Sequence, residues 1–142
     1  MVSMTVELRS VDTTEAALGW AGGHTIVVDR PEGKAGGRGL GFNGAQLLGF
    51  AIGGCFCNDL RYVAHDAGLK LGSIAITVTV ELDGDPLLMT GATMTVACDM
   101  LDGSDAQELI AKTTKTTMVT NSIRNGVPVT ILNAGLDGAG ST

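Results

Sequence analysis

The sequence predicts an α+β domain whose elements run in the order βββ-α-ββ-α-β, with helices packed on antiparallel sheet. Three observations carry this. Apolar and polar residues alternate with a period of two at the start of the chain and again beyond residue 70. Between Asn43 and Gly68 the apolar residues instead fall in pairs at helical spacing. With 142 residues, of which 44% are hydrophobic, the chain can bury one sizeable core and is too short for two ordinary domains, so residues 1–142 form a single unit.

The first strand is expected over Val2–Arg9, where Val2, Met4, Val6 and Leu8 alternate with Ser3, Thr5, Glu7 and Arg9 and so share one face. A second strand over Ala16–Ala21 and a third over His24–Asp29 flank Gly22-Gly23, a pair suited to a tight antiparallel turn. Pro31 to Gly39 has no period and four glycines, and reads as a connection or a lid.

The long helix shows in the pairs Leu47/Leu48, Ala51/Ile52, Cys55/Phe56 and Val63/Ala64, with Leu60 and Ala67 in phase. Asn43 with Gln46 has the spacing of a capping box, and Gly68 stands where a left-handed C-terminal cap belongs. At about 24 residues such a helix spans roughly 36 Å, long for a small domain, and is expected to be central. Gly53-Gly54 in its middle costs helix stability, about 1 kcal/mol per glycine. The pair therefore predicts a close neighbouring backbone, which a two-fold contact between identical helices would supply.

A hairpin follows, with Ile74 to Leu82 and Ala92 to Met100 alternating on either side of a turn at Asp83-Gly84-Asp85-Pro86. Ser104 with Gln107 suggests a second capping box, opening a helix that buries Leu109 and Ile110. Val127–Leu132 reads as a last strand, and residues 135–142 as a flexible tail.

Fifteen acidic against nine basic residues give a formal charge of −6, and no Lys/Arg cluster offsets it, which argues against nucleic acid as a partner. No apolar run reaches the roughly 20 residues of a membrane helix, and the start lacks the pattern of a signal peptide, so no membrane association and a cytoplasmic location are expected. Cys55, Cys57 and Cys98 are an odd count, which disfavours a disulfide framework and leaves packing or redox chemistry. Two histidines and three scattered cysteines offer no metal spacing. The glycine loop lacks a phosphate-binding motif, and Asp83-Gly84-Asp85 lacks further oxygen ligands for calcium. No metal and no cofactor is expected.

The segment Asn43-Gly44-Ala45-Gln46-Leu47-Leu48-Gly49-Phe50-Ala51-Ile52-Gly53-Gly54-Cys55-Phe56 resembles the signature of the osmotically inducible/organic-hydroperoxide-resistance (OsmC/Ohr) family, in which an Asn-Pro-Glu-Gln-Leu-Leu-like start leads to a cysteine. Val119-Thr120-Asn121-Ser122-Ile123 is similar to the family's second-cysteine segment, and the order of elements is also the family's. The resemblance implies an OsmC/Ohr-like fold in an intertwined homodimer. It also implies thiol peroxidase chemistry, in which a cysteine attacks a peroxide, becomes sulfenic acid and is captured by a second cysteine.

On that resemblance Cys55 stands at the attacking position, whereas Ala45 replaces the expected glutamate and Thr117 the second cysteine. The family's arginine has no counterpart at the Gly22-Gly23-His24 strand start, which makes His24 a candidate partner for Cys55, with Arg30 or Arg38 from the glycine loop as alternatives. Gln46 and Cys98 are further candidates in support. Cys57 lies two positions from Cys55, about 200° around a helix, and does not suit a disulfide with it. Taken without the resemblance, a cysteine on an apolar helix face is a packing residue. Two expectations therefore stand side by side. One is a one-cysteine reductase of organic hydroperoxides served by an external thiol. The other is a catalytically silent dimer that holds a small apolar ligand in a pocket near Cys55 or acts as a structural module.

Overall fold

The structure, a computed structural model, describes residues 1–135, so nearly all of the tail expected over 135–142 lies outside the described residues. Three short strands, β1 (Glu7–Ser10), β2 (Ala17–Ala21) and β3 (His24–Val28), form one antiparallel sheet in that order. Ala21 pairs with His24 across a two-residue turn in which Gly22 takes φ 59°, as the glycine pair predicts. β1 is shorter than expected: Val2 and Met4 precede it and are exposed. Alternation marks a face that can be buried, but β1 pairs on one side only and this chain places no layer over it.

The helix α1 (Gly44–Asp66) is the longest element, and both of its ends form as the sequence indicates. Asn43 Oδ1 accepts from the Gln46 amide at 2.9 Å, and the Asn43 amide donates to Gln46 Oε1 at 3.0 Å. At the other end Gly68 has φ 70°, its amide donates to the His65 carbonyl, and the Leu69 amide donates to that of Ala64. Among the described residues no helix is long and apolar enough to cross a membrane.

β4 (Leu71–Asp83) and β5 (Leu88–Met100) make a long antiparallel hairpin, with Ile74 opposite Cys98 and Val78 opposite Met94. Its inward-facing residues cover one side of α1. A Cβ on Gly53 would stand 2.9 Å from Val78 Cγ2, so within this chain the close neighbour that this glycine admits is a β4 side chain. Gly54 faces open space in this chain.

The opposite side of α1 carries α2 (Gln107–Thr116) and α3 (Met118–Arg124), a helix that periodicity had not indicated. The expected Ser104–Gln107 capping box does not form. Two aspartates compete for its donors: Asp102 accepts from the Ser104 hydroxyl and amide, and Asp105 accepts from the Gln107 amide at 2.6 Å. The strand expected over Val127–Leu132 is also absent. These residues are exposed and without regular structure, because no strand edge of this chain lies alongside to pair with them.

The core lies where α1, the hairpin and α2 meet, around Phe56, Leu60, Ala64, Leu71, Met100, Ala106 and Leu109. Leu60 is wholly buried at 0% exposure. Its transfer from water contributes about 1.5–3 kcal/mol, and a close-packed interior adds a penalty for any cavity left behind. Leu60→Ala is therefore expected to lower the unfolding free energy by about 2–5 kcal/mol in urea denaturation; a loss well under 1 kcal/mol would show that this core is not tightly packed.

Candidate functional site

Helical spacing places Ile52, Cys55, Phe56, Asp59 and Leu60 on the side of α1 that meets α2 and α3. Phe56 and Leu60 point into the core, whereas Cys55 and Asp59, one turn apart, lie at its edge and are partly exposed. Thr117 interrupts the helical run with φ −59° and ψ 131°, which ends α2 and starts α3. Its side chain turns inward and is 1% exposed.

Three donors converge on one oxygen of Asp59. The Cys55 thiol lies 3.4 Å from Oδ2, the Thr117 hydroxyl donates to it at 2.8 Å, and the Met118 amide donates at 3.2 Å. The Met118 amide belongs to the first turn of α3, which has no carbonyl partner within its own helix, so the carboxylate caps that helix from a distance. The sulfur and the hydroxyl at the position matching the family's second cysteine thus share a single acceptor. Asp59 also borders a cavity of about 360 Å³ together with Tyr62, Val63, Asp66, Lys112 and Thr116.

Sequence reasoning singled out Cys55 and Thr117 but missed Asp59. The available signal was its place four residues after Cys55, a spacing that stacks two side chains on one helix face.

The other candidates lie elsewhere in the chain. His24 is exposed at the start of β3, and no hydrogen bond among the described residues joins it to Cys55. The Arg30 guanidinium donates to the Glu15 carbonyl and pairs with Asp29 at 3.2 Å. The Arg38 side chain is exposed. Gln46 spends its carbonyl oxygen on the cap of α1.

All three cysteines are free. Cys57 faces away from Cys55, as two positions on a helix require, and lines an apolar cavity of about 630 Å³ between α1 and β4 with Ala45, Phe50, Gly53, Ile74 and Val78. The apolar pocket expected near Cys55 is thus beside Cys57 instead, since β4 covers that side of the helix. Cys98 packs at the margin of the core, where burial pushes its thiol above the ordinary value. Arg61 opposes that shift, while Asp99 and Cys57 add to it. Cys57 is thus among the electrostatic neighbours of Cys98. Among the described residues no three His, Cys, Asp or Glu side chains gather as a metal site.

A model of the OsmC-like protein family matches residues 36–132, which include α1, the hairpin, α2 and α3. The chain belongs to the OsmC-like family. Among solved structures it is similar to an OsmC-like protein of Mycoplasma pneumoniae, with a TM-score of 0.73 and 14% identity over 88% of this chain and 89% of that one. An organic hydroperoxide resistance protein of Legionella pneumophila gives a TM-score of 0.63 and 20% identity over 87% and 90%. One from Elizabethkingia anophelis gives 0.64 and 18% over 89% and 91%. At these identities the likeness establishes the OsmC/Ohr fold. Among curated proteins none matches the chain.

In this OsmC-like chain the loop carrying Arg30 and Arg38 is held by a buried carboxylate that sequence reasoning also missed. Asp29, 5% exposed, accepts from the amides of Arg30, Arg38 and Leu40 at 2.8–3.1 Å. A connection pinned in this way is a fixed strap and not an open lid. The Leu40 amide, followed by those of Arg38 and Arg30 and the Arg30 guanidinium, holds the Asp29 carboxyl below its ordinary value, against the opposing effect of burial. A depressed carboxyl stabilises the fold above the unfolded value and loses that contribution as pH falls through the folded one. The stability difference between the protein and Asp29→Asn, followed by urea unfolding, is therefore expected to be full at about pH 6 and to shrink below about pH 4. A difference that does not change with pH would contradict this.

Proposed function

We propose that the protein reduces organic hydroperoxides with a single cysteine, Cys55, and an external thiol. The observation that carries this reading is the location of the Cys55 sulfur. It is partly exposed and directed at the α2–α3 junction, where it shares the Asp59 carboxylate with Thr117. Two further points support it: the resemblance of the segment around Cys55 to the family signature, and the naming of structural neighbours as organic hydroperoxide resistance proteins.

The chemistry balances without a second protein thiol. Cys55 sulfur attacks the peroxide and breaks the O–O bond, giving a sulfenic acid and an alcohol; sulfur is oxidised by two electrons and the peroxide is reduced. One external thiol displaces water to form a mixed disulfide, and a second releases Cys55 as the thiol. The three free cysteines suit a reducing, cytoplasmic setting.

The working unit on this reading is a homodimer. Val2, Met4, Val6 and Leu8, and again Val127, Val129 and Ile131, are exposed apolar residues in alternation, and Phe42 and Phe50 beside the α1–β4 cavity are exposed too. Apolar surface of this extent calls for a partner, and a second copy would bring in the basic groups of its own β2–β3 turn and glycine loop.

Titration with an organic hydroperoxide in the presence of a sulfenic-acid trap, read by intact mass, is expected to place one adduct on Cys55 and none on Cys55→Ser. An unmodified Cys55 under excess oxidant rejects the reading. Thr117→Cys restores the second thiol and is expected to convert the adduct into an intramolecular disulfide between Cys55 and the introduced cysteine, seen as loss of two hydrogens; continued trapping in that variant would show that the two positions do not meet.

The α1–β4 cavity favours a second reading, in which a catalytically silent dimer holds a small apolar ligand there. Native mass spectrometry showing a retained ligand, together with an inert Cys55, would select it.

A further inference from the structure

A thiol that attacks a peroxide must give up a proton, and the alkoxide that departs must receive one. Among the described residues the Cys55 sulfur has one titratable hydrogen-bond partner, Asp59, whereas His24, Arg30 and Arg38 are all tied or placed elsewhere. Building on the reading of Cys55 as the attacking thiol, we infer that Asp59 is the catalytic proton carrier of the reaction, taking the thiol proton and passing it to the departing alkoxide.

The geometry around Asp59 suits that task. Oδ2 faces the sulfur and is fixed from the far side by the Thr117 hydroxyl and the Met118 amide, so the carboxylate is held in one orientation while the thiol approaches it. Thr117 is itself sealed from solvent, so its hydroxyl is held on the carboxylate. Oδ1 accepts no hydrogen bond among the described residues, and the cavity that Asp59 shares with Tyr62, Lys112 and Thr116 gives the carboxylate an outlet to solution. The proton that leaves sulfur thus has an acceptor in contact with it.

The step balances. As the Cys55 S–O bond forms and the peroxide O–O bond breaks, Asp59 holds the proton that had been on sulfur. It then releases that proton to the alkoxide, leaving a sulfenic acid on Cys55, a neutral alcohol and an unchanged carboxylate. Thr117, where a disulfide-forming cysteine would stand, becomes the positioning residue for this carrier. A purely structural Asp59, serving only to cap α3, would have no effect on the proton inventory.

The test compares two reactions of the same sulfur in the full-length protein, each followed by intact mass. Alkylation of Cys55 by iodoacetamide requires only that the thiol lose its proton, since iodide departs without one, whereas oxidation by tert-butyl hydroperoxide with a sulfenic-acid trap requires in addition that a proton reach the departing alkoxide. Asp59→Asn is expected to slow oxidation by about 10-fold or more beyond any slowing of alkylation, so that the ratio of the two rates falls by that factor. Thr117→Val, which removes one of the two donors that orient the carboxylate, is expected to lower that ratio by less than Asp59→Asn does, about 3-fold. Both rates falling in the same proportion in Asp59→Asn, or neither falling, overturns the assignment. Should Asp59→Asn not fold, the wild type alone decides: across hydroperoxides of increasing leaving-alcohol acidity, a carried proton predicts a nearly flat oxidation rate, and a steep rise contradicts it. Wild-type protein that is alkylated at Cys55 but never oxidised overturns the peroxidase reading itself, and the role of Asp59 with it.

Discussion

One carboxylate oxygen, Asp59 Oδ2, joins three parts of the molecule that the chain otherwise keeps apart: the middle of α1 through Cys55, the end of α2 through Thr117, and the start of α3 through Met118. Buried or half-buried polar groups cost stability unless they are paired. The inward turn of Thr117 and the unpaired amide of a helix start both need an acceptor, and Asp59 supplies it. Removing that oxygen would leave the Thr117 hydroxyl enclosed without a partner and would free the sulfur to rotate. The break between α2 and α3, the seal over the edge of the core and the direction of the thiol are thus consequences of one interaction.

The two sides of α1 serve different ends. Toward β4 the glycine at position 53 lets the hairpin approach closely, and the side chains between leave an apolar cavity in which Cys57 is a lining residue. Toward α2 and α3 the helix presents Phe56 and Leu60 to the core and Cys55 and Asp59 to its margin. Cysteines two residues apart therefore meet different surroundings, hydrocarbon for one and a carboxylate for the other. The three-stranded sheet stands apart from both faces and is fastened by the Asp29 strap and the bridge from Val28 to Phe42.

Local signals in the sequence were legible. Both ends of α1 follow from contacts within a few residues, Asn43 with Gln46 and Gly68 with the preceding turn, and the hairpin follows from alternation on either side of a turn. The Ser104–Gln107 box misled because Asp102 and Asp105 sit close enough to claim the same donors, a competition that spacing alone does not resolve. Val127–Leu132 has the alternation of a strand, but a strand also requires an edge, and this chain offers none beside it. The site divides along the same line. Cys55 and Thr117 were found through resemblance to a family segment, whereas Asp59 is joined to Thr117 across 58 positions of sequence and acquires its role only when α2 folds back on α1. Asp29 was hidden for a similar reason, since its donors Arg38 and Leu40 lie beyond a loop without period.

The most direct test of this account is a high-resolution crystal structure of the reduced protein. The account predicts Cys55 Sγ and Thr117 Oγ1 within hydrogen-bonding distance of the same Asp59 oxygen, with the Met118 amide directed at it. A carboxylate turned out to solvent, or a sulfur turned into the hydrocarbon of the core, would contradict it.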